Sequence, residues 1–450
     1  MQFRKFVAIV AVATIAVAAC GGSSGTPAPA SSAPSAAAPS AAAPSAEAPS
    51  AAAGPVTLTV MNWGNQGDPW WQARFAEFTK LYPNVSFKTE VVPYGDYQAK
   101  LGAYATAGSG PDVIQTEPGN ILAYPQAHLP LTGLVDPAGY NFPDGFCGGF
   151  DCAKEFYAIP WTLQAHPLYY NKAILTAAGL DPANPPKTWK DMEAACTKIK
   201  ATGKACIAAG PKDYGALTEM AALWNQTATP EECKGLLSGA SKGTDPWMVN
   251  AFALWKDMAD RGWFQEGVAD ANLAPEAQEL FTSGGSAFFT GLQGDAYHWK
   301  LLGEALKDDL RVYIGPQIEQ DFPLAGVGPG PLSTSLDTAS GGGFAVTPWT
   351  KAQPEAIEFI KYLTDPAQGT TVTDVGSYPA AKGFDSKPIG NAALDQLVVL
   401  TGESKGNCTQ YLPSSIFGPI IAQGQLLLTG ETTPEKAGQA VEDSLVDLRP

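Results

Sequence analysis

From Val56 onward the chain alternates strand and helix signals in an order that leaves few folds open. Val56–Asn62 reads as a strand. Asp68-Pro69 then opens a helix, with Asp as N-cap and Pro in the first turn, where its missing N–H costs nothing. Trp71, Phe75, Phe78 and Tyr82 follow at helical spacing and give that helix one apolar face. Val85, Phe87, Thr89 and Val91 alternate as a second strand; Tyr97, Leu101 and Tyr104 mark a second helix; residues 112–116 read as a third strand. The order β-α-β-α-β requires helical crossovers, so an α/β protein with a mainly parallel sheet covered by helices is expected. Later stripes, Trp189-Met192-Cys196-Ile199 and Met248-Phe252-Trp255-Ala259, are read as core faces.

The first 54 residues stand outside that pattern. Arg4 and Lys5 precede an uncharged apolar run over residues 6–19, too short to span a bilayer but right for the core of a signal peptide. The run ends Val17-Ala18-Ala19-Cys20 and resembles a lipobox, which implies cleavage before Cys20 and acylation of its thiol. Residues 1–19 are therefore expected to be a signal peptide. Residues 20–54 are expected to be a lipidated Cys20 followed by a disordered Ala/Pro/Ser tether with SAAAP repeats and no apolar face to bury. At about 3.1 Å per residue such a tether reaches at most on the order of 100 Å.

The formal charge is −16, and it becomes more negative once Arg4 and Lys5 leave with the signal. Nucleic acid, which needs basic surface, is excluded as a partner. Six of the seven cysteines lie beyond Cys20. In an exported chain an even count points to disulfides. Cys147 and Cys152 flank a short turn; Cys196 on a helix face and Cys206 at the next strand can close that connection; Cys233 and Cys408 then pair by elimination. Zinc is not expected: there are no paired CxxC ligands, and the three histidines are scattered. No metal and no cofactor is expected. The folded part carries no His-Glu-x-x-His and no P-loop.

Three groups of segments carry a family resemblance. The first runs from LTVMNW through KLYPNV and YGDYQAKL to GSGPDVIQTEPGN. The second is YAIPWTLQAHPLYYNKAILTAAGLDPANPPKTWKDM. The third is FTSGGSAFFTG, followed by GGGFAVTPWTKAQPEAIEFIKYLTDPAQG and SYPA. In this order they resemble the family 1 extracellular solute-binding proteins, the group that includes the maltose-binding protein. The likeness covers nearly all of the chain after Val56. One departure is the segment from Gly291 to Asp295, which lacks the tryptophan customary there.

The resemblance implies an α/β, two-lobed periplasmic-binding-protein-like fold of the type II kind, with a ligand cleft between the lobes. Residues 55–162 and 341–385 would form the first lobe and residues 163–340 and 386–450 the second, with crossings just after Trp161 and near Gly341. It also implies a monomeric substrate-binding lipoprotein of an ABC transporter. Such a protein is anchored at the extracytoplasmic face of the cell membrane and passes a mono- or oligosaccharide to the membrane permease. Other small polar ligands, a glycerol phosphoester or a polyamine, are the alternatives within this class; a surface glycoside hydrolase is the alternative outside it.

A sugar offers C–H faces to aromatic rings and hydroxyls to amides and carboxylates. Residues of those types at strand ends are the candidates for its site: Trp63, Asn65 and Gln66 after the first strand, Tyr94 after the second, and Glu117 and Asn120 after the third. Trp161 and Gln164 sit at the inferred crossing, Gln293 and Asp295 follow AFFTG, Gly341 and Gly342 allow close backbone approach, and Tyr378 lies in the SYPA loop. Trp161 is expected to stack on the ligand. Trp189 is expected to be structural.

Overall fold

A computed structural model describes residues 54–64, 66–140, 146, 154–290, 298–322, 338–382, 390–403 and 408–449. The signal peptide, Cys20, the tether, Asn65, Gln293, Asp295 and the Cys147–Cys152 pair lie outside the described residues.

Ten strands form two sheets. They are β1 (Val56–Asn62), β2 (Val85–Val91), β3 (Val113–Thr116), β4 (Ile159–Ala165), β5 (Leu168–Asn171), β6 (Ala205–Ala208), β7 (Ser286–Thr290), β8 (Leu310–Tyr313), β9 (Thr338–Val346) and β10 (Tyr378–Pro379). One sheet has the order β10-β4-β9-β3-β1-β2 and the other β6-β7-β5-β8. Each has its own covering helices and core, so the α/β, two-lobed architecture is present. The sheets are mixed, however, rather than mainly parallel. β1 is parallel to β2 and β3, and β6 to β7, whereas β3–β9, β4–β9, β4–β10, β5–β7 and β5–β8 are antiparallel. Helical crossovers impose parallel pairing on β1–β3 and on β6–β7; β4 and β9 lie side by side and run in opposite directions. β4 belongs to the first sheet and β5 to the second, so the chain changes lobe at His166-Pro167.

α1 (Asp68–Leu81) begins one residue earlier than expected. Its N-cap is Gly67 at φ 74°, and Asp68 lies in the first turn, accepting from Gln72 Nε2 at 3.2 Å. Glycine supplies the positive φ that this start requires. The helix buries Trp70, Trp71, Arg74, Phe75 and Phe78, and Phe75 stacks on Phe87 of β2 at 4.4 Å. Each large apolar side chain so buried stabilises by roughly 1.5–3 kcal/mol. α2 (Tyr94–Ala107) buries Tyr97 and Leu101 and ends on left-handed Gly108. α3 (Pro118–Ala123) follows β3 directly.

In the second lobe the helix Trp189–Ala201 starts with a Thr188/Asp191 capping box and buries Trp189, Met192, Cys196 and Ile199, as the stripe predicts. Met248, Phe252 and Trp255 are buried on another helix. Cys196–Cys206 and Cys233–Cys408 are both bonded.

Candidate ligand-binding cleft

A cavity of about 470 Å³ opens between the sheets. That is within the size range of small-molecule sites, roughly 300–1,000 Å³. The first lobe contributes the carboxyl ends of β1 and β3. Trp63 and Gln66 follow β1, Gln115 lies in β3, and Glu117 is the N-cap of α3. Tyr94, the first residue of α2, reaches the same wall. This is the position at which open α/β sheets bind ligands.

β4 adds Trp161, Thr162 and Gln164 through a local irregularity. Pro160 pairs with Gly343 and Thr162 with Gly342, so Trp161 is the extra residue of a bulge. Proline cannot donate to the ladder, and bulges re-aim the side chains beside them. The Trp161 ring packs against Trp70 and Phe344, with centroids at 5.4 and 5.5 Å, and the residue is 3% exposed. Its Nε1–H is buried and has no hydrogen-bond partner among the described residues.

The second lobe contributes Tyr214, Thr218, Pro275, Gln278 and Leu301, with Thr409 and Phe417 from the C-terminal segment. Two glycines bring the Pro275 segment there. A Cβ on Gly210 would meet Leu273 N at 2.1 Å, and one on Gly215 would meet Gly210 O at 2.1 Å. The Asp213 carboxylate accepts from Gly215 N and Leu273 N at 2.9 and 3.2 Å and ties these pieces together. Tyr94 and Tyr214 meet across the cleft edge to face, with centroids 6.0 Å apart.

The polar lining is mostly neutral. Glu117 is its one carboxylate, and it holds no Lys or Arg among the described residues. Tyr94 donates its hydroxyl to Glu117 Oε1 at 2.9 Å. Burial pushes the Glu117 carboxyl up to about 7, against the opposing hydrogen bonds from Tyr94 and Gln98. Three buried atoms from both lobes lack partners among the described residues: Gln66 Oε1, Trp161 Nε1 and Gln278 Nε2. One acceptor and two donors therefore point to a ligand that both accepts and donates hydrogen bonds.

The bacterial extracellular solute-binding protein family matches residues 73–393. The chain belongs to this family. Among curated relatives, an sn-glycerol-3-phosphate-binding periplasmic protein of Agrobacterium fabrum is 34% identical over 193 residues, 41% of this chain and 38% of that protein. A protein of the same name from Rhizobium meliloti is 29% identical over 284 residues, 55% of this chain and 60% of that protein. These matches thus span less than two thirds of the relatives' own length. Among solved structures, a chitin oligosaccharide binding protein superposes with TM-score 0.74 at 20% identity, covering 87% of this chain and 98% of that one. The GacH receptor of Streptomyces glaucescens, described in complex with acarbose, gives TM-score 0.68 at 21% identity over 87% and 98%. These likenesses establish a shared fold.

Of the expected site residues, Trp63, Gln66, Tyr94, Glu117, Trp161, Gln164 and Gly341 line the cleft of this solute-binding protein. Asn120, Gly342 and Tyr378 are not among its lining residues. Asn120 and Tyr378 are buried in the fold, and Gly342 lies behind Trp63, where a Cβ would meet the indole at 3.2 Å. Sequence reasoning missed Gln115, Thr162, His166, Tyr214, Thr218, Gln278, Ser377, Thr409 and Phe417. Gln115 and Thr162 carried a usable signal, since Gln115 lies two residues before Glu117 and Thr162 directly follows Trp161. The second-lobe residues come from helix starts and loops whose convergence is tertiary.

Proposed function

We propose that this protein captures a neutral carbohydrate, a mono- or oligosaccharide, between its lobes and delivers it unchanged to the permease of an ABC importer. One observation carries the reading. The cleft combines aromatic rings at Trp63, Tyr94, Tyr214 and Phe417 with amide and hydroxyl groups, one carboxylate and no lysine or arginine among the described residues. Sugars need that mixture.

A glycerol phosphoester is the second reading, because curated relatives are named for binding one. Phosphate is held by arginine, lysine or clusters of backbone N–H groups. In this cleft it would face Glu117 without a lysine or arginine among the described lining residues, which disfavours it. A polyamine would suit Glu117, but one carboxylate offers little to a multiply charged cation. Glycoside hydrolysis ordinarily takes two carboxyl groups, and Glu117 stands alone among the described lining residues.

The same reading places the mature protein at the extracytoplasmic face of the membrane as a monomer, held by lipid on Cys20 through the tether. A melting-temperature screen of mono- and oligosaccharides tests ligand class. A sugar at a hundred times its Kd should stabilise by about 2.7 kcal/mol. Recovery of the bound sugar unaltered, with no reducing ends released, is the expected outcome; turnover at about 1 per second would make the protein an enzyme.

A further inference from the structure

Residues 408–417 touch both lobes and the cleft. Thr409 and Phe417 line the cavity. Between them the chain presses on α3 of the first lobe: a Cβ on Gly119 would meet Leu412 O at 3.0 Å and Ser414 N at 3.1 Å. Gly119 lies two residues after Glu117, the cleft carboxylate. A displacement of this strap is therefore felt directly at Thr409 and Phe417, and through α3 at Glu117.

The strap is fastened to the second lobe at its first residue. Cys408 is fully buried and bonded to Cys233, 175 positions earlier. Cys233 sits in the helix Pro230–Ser238, which is fixed by a Thr229/Glu232 capping box and closed by left-handed Gly239. Next to it, the Lys234 ammonium lies 5.3 Å from the centre of the Tyr411 ring. The other described disulfide, Cys196–Cys206, has a separation of 10 and joins a helix to β6; neither of its cysteines nor their sequence neighbours line the cleft.

We infer that the Cys233–Cys408 disulfide is a positioning element of the binding site: it holds the strap 408–417 in the register that presents Thr409 and Phe417 to ligand and seats Leu412 on α3. This rests on the reading of the cleft as the ligand site. Without the bond the strap samples other positions, and apparent affinity falls by the fraction of molecules in which it is correctly placed. A purely structural disulfide lowers melting temperature and leaves the affinity of the folded protein alone.

The test compares C233A/C408A with C196A/C206A in the full chain. Hydrogen exchange is read on ligand-free protein, and binding is read with whichever of maltose, chitobiose and stachyose shifts wild-type melting most. In folded C233A/C408A, exchange across 408–417 and α3 should quicken by about tenfold or more, and Kd should rise by about tenfold. C196A/C206A should melt lower while both readouts stay within about twofold. Wild-type exchange in the strap of folded C233A/C408A, or an equal loss of affinity in C196A/C206A, overturns the inference. If none of the three sugars binds wild type, that failure belongs to the ligand reading, and the exchange measurement alone decides. Should C233A/C408A not fold, Gly119→Ala, which pushes on Leu412 O with both cysteines intact, should weaken binding and loosen 408–417; unchanged values for both overturn the proposal.

Discussion

The Tyr94 hydroxyl donates to Glu117 Oε1 at 2.9 Å, joining the first residue of α2 to the N-cap of α3 at the cleft wall. That bond orients the one described carboxylate of the lining and opposes the rise of its pKa. Tyr94→Phe should keep the ring contact with Tyr214 but leave Glu117 less well held. Affinity for a bound sugar should fall by about fivefold, the equivalent of roughly 1 kcal/mol, as read by calorimetry. NMR titration should place the Glu117 carboxyl above its wild-type value. An unchanged affinity and an unchanged titration would remove Tyr94 from the site.

Glu219 gives a pH signature for the second lobe. It is 3% exposed, Thr290 donates to its Oε1 at 2.7 Å, and burial pushes its carboxyl up to about 8. The folded pKa lies above the unfolded one, so the unfolded chain sheds this proton first. Its contribution to stability therefore declines as pH rises from about 4.5 to about 8 and is level above that. Glu219→Gln removes the ionisation. Subtracting its unfolding free energy from that of wild type across this window should leave a descending curve of a few kcal/mol at most. A flat difference curve would contradict the assignment.

Trp161 separates a stacking ring from a hydrogen-bond donor. Its ring is occupied by Trp70 and Phe344, whereas its Nε1–H is buried without a partner among the described residues. Trp161→Phe preserves most of the packing and deletes the donor. Sugar affinity should drop by about three- to tenfold, in line with loss of one hydrogen bond, with little change in melting temperature. Trp189→Ala is the opposite case: it empties a core position beside Trp263 and should cost roughly 3–5 kcal/mol of stability with Kd unchanged. If Trp161→Phe lowers only stability, Trp161 serves the core.

Much of the fold was legible because local pattern and tertiary role coincide. α1, β2 and α2 each carry a period that matches their burial, β1 and β3 are short runs that are largely buried, and the Trp189 stripe is core on both counts. The direction of β4 and β9 was not legible, because nothing in a short apolar run says which way its neighbour runs. The first-lobe half of the cleft followed from strand ends, which are marked in sequence. The second-lobe half did not. Tyr214 and Gln278 are brought together by the close approach at Gly210 and Gly215, and no spacing along the chain encodes that contact.

The anchor has its own test. Cys20→Ala should abolish incorporation of labelled fatty acid and shift the protein toward soluble fractions or uncleaved precursor. Labelling at the wild-type level would refute the lipobox reading of residues 17–20.

The most direct measurement is calorimetric titration of the same preparation with neutral oligosaccharides and with sn-glycerol 3-phosphate, at pH 8, where the Glu117 carboxyl, pushed up to about 7, is mostly ionised. A cleft lined by aromatic rings, amides and Glu117, with no described lysine or arginine, should bind at least one sugar at one per chain and give no heat with the phosphoester. Saturable one-to-one binding of sn-glycerol 3-phosphate, with no response to any sugar, would contradict the account.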